Sequence, residues 1–415
     1  MLYHLHEMNR ALLNPWVAWS GALSQALSAP DNWVARMPGM ERLSAGYELF
    51  YRLGKDYEKP AFGIDRVEAH GREVAVNEQC ELPTPFCRLL RFKRYSDDPM
   101  TLTQLRRDPR VLVVAPLSGH HSTLLRDTVH TLLRDHDVYV TDWIDARMVP
   151  IAHGTFSLDD YVALMRRFIT HLGADSLHVM SVCQPTVPVL AAVSLMAAAE
   201  QTTPRSLILM GGPIDPRETP TQVNDLATRK RFSWFETNVI FAVPPNYPGS
   251  GRHVYPGFLQ HAGFVAMNPS RHFEAHWDFY QNLIRGDLED AAAHRRFYDE
   301  YNAVLDMPAR FYLDTIRTVF QEFALPRGQW HVEGERVAPE AIKRTAVLTI
   351  EGELDDISGI GQTRAAHALC KGVPDKRRQH LEIKGAGHYG IFSGRRWREV
   401  VYPDVRRFIA RFDRR

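Results

Sequence analysis

The sequence predicts an α/β fold: a mostly parallel central sheet with helices on both faces. Three observations carry this. Short apolar runs rich in β-branched residues, such as Val111 to Ala115 and Leu177 to Val182, alternate with segments of helical periodicity. Several of these runs open into a loop carrying a polar or reactive side chain. The alternation breaks off after Pro216 and resumes at Ala346, so one long segment is inserted into an otherwise regular pattern.

Taken in order, Leu2, Leu5, Met8 and Leu12 repeat at helical spacing, and Trp16, Trp19, Leu23 and Leu27 continue the face. Asn14 followed by Pro15 reads as a cap and a first-turn proline, so residues 1–30 are expected to form two short amphipathic helices. Their apolar face either packs on the body or attaches to an apolar surface. Residues 67–94 read as a short antiparallel lead-in to the sheet. The run 111–116 is a buried strand leading into Leu117-Ser118-Gly119-His120-His121, and 138–140 is the next strand. A helix follows over 161–171, then the strand 177–182, a small-residue helix, and the strand 206–210 ending in Gly211-Gly212. Residues 217–344, rich in aromatics and proline, form a cap or lid whose rings are expected to line an apolar cleft. The strand 346–350, a helix over 363–370, the strand 380–383 and a terminal helix complete the core, which therefore spans 31–216 and 345–415.

With 50 basic and 49 acidic residues the formal charge is +1, which gives no electrostatic case for nucleic acid or an anionic membrane. Four cysteines make no disulfide framework, although Cys80 and Cys87 are close enough in sequence to pair. No CxxC or HExxH spacing points to zinc, so no metal or cofactor is expected. No secretory signal or apolar run of membrane-spanning length is visible, so a reduced cytoplasm is the expected location.

The chemistry concentrates at Cys183 in Ser181-Val182-Cys183-Gln184-Pro185. A thiol between an apolar strand and a helix has the layout of a nucleophile elbow, with cysteine where serine is usual. Downstream, Asp355 follows one strand and His388, in Gly387-His388, follows another. Nucleophile, acid and base thus occur in α/β-hydrolase order, each past the carboxyl end of its own strand. Cys183 is the expected nucleophile, His388 its base and Asp355 the group orienting the imidazole, with Asp356 a competitor for that role. The oxyanion donors are expected from the backbone N–H of Gln184 and from the loop Ser118-Gly119-His120, whose Ser118 and His120 side chains are further candidates. His136, His178 and His380 read as structural.

Beyond the fold, three stretches carry a family resemblance: Met1-Leu2-Tyr3-His4-Leu5-His6-Glu7-Met8, the Cys183 box with Gln184-Pro185, and Gly387-His388-Tyr389-Gly390-Ile391-Phe392-Ser393-Gly394. They resemble the intracellular poly(3-hydroxybutyrate) (PHB) depolymerases over essentially the whole chain. The resemblance implies a cysteine-dependent α/β-hydrolase with an inserted cap. It would act on amorphous polyester of cytoplasmic granules and release 3-hydroxybutyrate or its oligomers through a thioester on Cys183. It implies the granule surface and the polymer as partners. Coenzyme A stands beside water as an acyl acceptor that the sequence leaves open. Rival readings are a polyester synthase, a general short-ester hydrolase and a catalytically silent granule protein. Gln184-Pro185 and the chain length argue against the synthase.

Overall fold

The structure is a computed structural model and describes residues 2–29, 31–267 and 269–413. Two helices, α1 (Leu2–Ser28) and α2 (Met40–Gly54), form a hairpin at the start of the chain. The central sheet has nine strands: β1 (Arg66–Ala69), β2 (Arg72–Pro83), β3 (Cys87–Tyr95), β4 (Arg110–Val114), β5 (Asp137–Trp143), β6 (Leu177–Val182), β7 (Ser206–Met210), β8 (Ala346–Gly352) and β9 (Arg378–Ile383). Their order is β1-β2-β3-β5-β4-β6-β7-β8-β9. The first three strands and the β3–β5 pair are antiparallel, and every pair from β5 to β9 is parallel.

The central strands β4, β6 and β7 read as unbroken apolar runs because both faces are covered. Helix α3 (Leu158–Leu172) starts on a capping box, with Ser157 and Asp160 satisfying each other's backbone N–H groups, and stops at Gly173 in the left-handed region. Helix α4 (Thr186–Ala198) is apolar around nearly its whole circumference, as a helix buried on all sides must be. These two pack on one another beside the sheet. The expected helix over 363–370 is mostly turn, with only Ala366–Leu369 helical.

The inserted stretch carries helices α5 (Gly257–Met267), α6 (Pro269–Arg285) and α7 (Leu288–Tyr301) and a three-stranded sheet of very short strands. Helix α2 packs on α6 and is pinned to α7 by Arg295–Glu48 (2.6 Å) and Arg52–Asp299 (2.8 Å). The last helix, α8 (Tyr402–Phe412), buries Val405, Phe408 and Ile409.

One expectation about the first thirty residues fails, and of two alternatives for their apolar face the structure disfavours packing on the body. The segment is one helix, with Pro15 inside it rather than opening a second. Proline there removes one hydrogen bond to the preceding turn, which the long flanks tolerate but which leaves a soft point. The large apolar residues also do not face the body. The buried residues of α1 are Tyr3, Val17, Ser20, Gly21 and Ser24. Gly21 lies so close to α2 that a Cβ there would sit 2.8 Å from the Tyr51 ring, and one on Gly54 would sit 2.5 Å from Val17. The helices approach through small residues, which turns the large ones outward. The suspected Cys80–Cys87 bridge is absent; all four cysteines are free.

Candidate active site

Because β4 and β6 are parallel neighbours, with Val114 beside Ser181, the loops leaving their carboxyl ends emerge side by side. Cys183 leaves β6 with φ +67, a left-handed conformation uncommon for a residue with a Cβ. Its N–H donates to the Met210 carbonyl (2.7 Å), and its own carbonyl accepts from Thr186 N–H (3.1 Å) as helix α4 begins. That is a sharp strand-to-helix elbow presenting a half-buried thiol. Pro185 fits it because it precedes the first helical residue, where a missing N–H is harmless.

The turn needs glycine opposite. A Cβ on Gly212 would fall 1.9 Å from Thr186 Oγ1 and 2.4 Å from the Cys183 carbonyl oxygen. One on Gly211 would meet Ile391, His388 and Asp355 at 2.8, 3.3 and 3.4 Å. The pair that ends β7 therefore lets all three chemical side chains converge. The sequence shows Gly-Gly directly after a strand, and that was the available signal.

Asp355 Oδ2 lies 2.8 Å from His388 Nδ1, while Asp355 Oδ1 accepts from the N–H groups of Ile357 and Ser358, both at 2.9 Å. This leaves the imidazole one orientation, with Nε2 available on its other side. Asp356, one residue on, is exposed and is not the partner of His388. Both His388 and Asp355 are buried. Burial alone would depress the His388 imidazole, but the Asp355 carboxylate and then the Cys183 sulfur hold it well above the ordinary histidine range. The structure thus brings Cys183, His388 and Asp355 together.

Of the expected oxyanion residues, Gln184 keeps its backbone N–H free of hydrogen bonds among the described residues, as a donor must. Gly119 (φ +104) turns the β4 loop, and its carbonyl accepts from Leu305 N–H at 2.8 Å. Ser118 is half-buried on the same loop. The His120 side chain is otherwise employed: Nε2 is 3.1 Å from the Tyr301 carbonyl and the ring stacks on Phe264 at 4.8 Å. Burial presses its pKa down to about 4, so it serves as a neutral prop for the cap.

The sequence reading missed the roof. A Cβ on Gly119 would lie 2.7 Å from Gln260 Oε1 and 3.1 Å from Phe264, so helix α5 rests directly on the oxyanion loop. Tyr301 packs against both His120 and Phe264, at ring distances of 5.3 and 6.4 Å. Tyr389 completes the wall, its hydroxyl pushed up by burial and by nearby Tyr301 and Cys183. Aromatic richness of the insert was legible, but which rings reach the site depends on the path of a segment with no regular pattern.

The strand order, the elbow and the order of the three residues define an α/β-hydrolase fold. Residues 211–413 match the family model described as PHB de-polymerase C-terminus. A search of curated proteins finds no match. Among solved structures, 2-hydroxy-6-oxo-6-phenylhexa-2,4-dienoate hydrolase from Rhodococcus sp. strain RHA1 superposes with a TM-score of 0.44 at 11% identity, covering 81% of this chain and 99% of that one. A carboxylesterase study of Nitrososphaera gargenis gives 0.46 at 13% identity over 81% and 98%. The monoacylglycerol lipase of Paleococcus ferrophilus gives 0.43 at 14% over 74% and 96%. At these values no substrate is carried over from them.

Proposed function

We propose that the chain hydrolyses the storage polyester poly(3-hydroxybutyrate) through a thioester on Cys183. The observation that supports this most is the 2.8 Å Asp355–His388 contact beside a left-handed cysteine elbow, in a chain that matches the PHB de-polymerase C-terminus model. The raised His388 sets a proton-holding imidazole beside the Cys183 sulfur, the arrangement in which a histidine activates a thiol and later protonates the leaving group. The Cys183 thiolate attacks an ester carbonyl. The Gln184 N–H and the Gly119 loop receive the oxyanion. The acyl C–O bond breaks as His388 gives its proton to the leaving alkoxide. Water then attacks the thioester, passing a proton to His388, and the acid leaves as the Cys183–carbonyl bond breaks. A thiol such as coenzyme A is the chemical alternative to water, and product analysis separates free acid from acyl thioester.

The reading extends to location. No helix among the described residues is long and apolar enough to cross a membrane. Yet α1 exposes Leu2, Leu5, Met8, Leu12, Leu13, Trp16 and Trp19, with Leu12 and Trp16 about two-thirds exposed at 67% and 65%. We assign this face to the polyester granule in the cytoplasm. Apart from His4, α1 exposes no ionisable group, because Glu7 and Arg10 are half-buried and pair with each other. An anionic bilayer would favour Lys or Arg there, whereas a neutral polyester does not.

The test is release of 3-hydroxybutyrate from amorphous granules by the protein and by Cys183→Ala. Release by the first and none by the second is expected. Equal release would move the chemistry off Cys183, and none from either would refute the substrate.

A further inference from the structure

The roof over the site and the outward-facing helix α1 are physically joined, and the joint is specific. Helix α5 covers the oxyanion loop through Gln260 and Phe264. It is nonetheless a poorly anchored helix: of its eleven residues only Gly257 and Gln260 are buried, although its sequence Gly257-Phe258-Leu259-Gln260-His261-Ala262-Gly263-Phe264 is mostly apolar. Gln260 Nε2 donates to the Tyr255 and Leu305 carbonyls (2.8 and 3.1 Å) and His261 Nε2 lies 2.8 Å from Asn302 Oδ1, so α5 is held by a few polar contacts and its first turn rather than by a buried face.

The contacts of that first turn come in large part from the first turns of α1. Asp306 accepts the Gly257 N–H on Oδ1 (2.8 Å), and Tyr3 donates its hydroxyl to Oδ2 of the same carboxylate (2.6 Å). Phe258 is stacked on His6 at 3.9 Å and meets the Tyr3 ring edge-on at 5.5 Å. One turn on, Tyr247 donates to Glu7 Oε2 (2.8 Å). On the other side of these turns stand Leu2, Leu5, Met8 and Leu12, in water. Pro15 separates this half of α1 from the half held against α2 by Val17, Ser20, Gly21 and Ser24. The first half can therefore tilt about the proline while the second stays packed.

We propose that the first half of α1 senses the substrate surface: seating its uncharged outer face on solid polyester tilts it at Pro15, withdraws Tyr3 from Asp306 and lets helix α5 lift from the loop beside Cys183. The site then opens where polymer is present and stays covered in solution. The occupant rests on the polyester reading above, but the coupling does not need turnover to be seen.

The experiment is the rate of Cys183 alkylation by N-ethylmaleimide, read by peptide mass spectrometry on the full chain with and without hexadecane droplets. These are apolar and uncharged and contain no ester to acylate the thiol. We expect droplets to speed labelling of Cys183 by about tenfold, the shift of a lid from mostly closed to mostly open. Exposed Cys80 serves as the internal reference. Tyr3→Phe, which keeps the ring against Phe258 but drops the hydroxyl, is expected to label fast without droplets. Equal labelling of the wild type in both conditions overturns the proposal, as does failure to float with the droplets. The wild-type arm decides even if Tyr3→Phe folds poorly. A chain whose labelling responds but which releases nothing from granules keeps the sensor and loses the substrate. One that degrades granules with flat labelling does the reverse.

Discussion

At the carboxyl edge of the sheet almost nothing chemical is left to solvent, whereas on the α1–α2 hairpin the largest apolar side chains stand in it. The first region achieves closeness with small residues: Gly211 and Gly212 let Cys183, His388 and Asp355 converge. The second uses small residues too, since Ser20, Gly21 and Ser24 let α1 approach α2. The outcome is opposite because a sheet edge is roofed by the insert while the outer face of α1 is left uncovered among the described residues. Trp16, Trp19, Trp33, Leu53 and, on the neighbouring α6, Phe273 and Trp277 remain exposed. The reading proposed above assigns these exposed side chains to an interaction surface. On the proposed reading one region serves reaction geometry and the other contact with an apolar phase.

The comparison breaks most visibly at Asp355. Asp355→Asn keeps the shape but leaves the His388 imidazole without a charge to hold its tautomer and its proton. Its rate should fall by about 10³-fold or more on granules and on a soluble short ester alike. A loss confined to granules would mean that the contact to His388 serves the cap rather than the chemistry.

Trp16→Ser with Trp19→Ser probes the other region. Each indole withdraws from contact with the polymer on the order of 1–2 kcal/mol of apolar burial, given that both are only half to two-thirds exposed to begin with. Granule turnover at limiting enzyme should fall by about 10- to 100-fold, while soluble-ester turnover stays within about twofold. Equal losses on both substrates would show that these tryptophans support the fold.

The two regions were not equally legible. The sheet, the elbow and the three chemical residues could be read because each rests on a local signal: an apolar run, a reactive residue at its end, and their order along the chain. On the hairpin, helical periodicity identifies a stripe of large apolar residues but does not say whether that stripe packs on the body or faces outward. Here the buried stripe is Ser20, Gly21 and Ser24, and only the three-dimensional approach of Tyr51 explains why. Pro15 misled, since a proline signals a helix start and is also tolerated inside a long helix held on both sides. The side chain of His120 looked like a donor from its place in the loop. Tyr301, far off in sequence, takes its Nε2.

The seam between the regions supplies the smallest and most pointed effect. Asp145 and Asp306 are buried close together, with Arg147 bonded to Asp145 at 2.9 Å. Burial first, then the Asp306 charge, raises Asp145 to about 7, with Arg147 opposing. An unfolded aspartate titrates near about 4. Between those values the folded chain holds a proton that the unfolded chain has released, so the stability Asp145 contributes is complete below about 4 and is lost as pH rises towards 7. His120 runs the other way, its folded pKa lying below its unfolded one, but it is present in both proteins being compared. Relative to Asp145→Asn, the wild type should therefore lose unfolding free energy across this window, by at most about 1.4 kcal/mol per pH unit. Urea unfolding of both proteins at several pH values measures the difference. A flat difference would show that Asp145 is ionised throughout, held by Arg147. The seam under Tyr3 would then be a fixed ion pair and not a strained junction between the reacting region and the docking one.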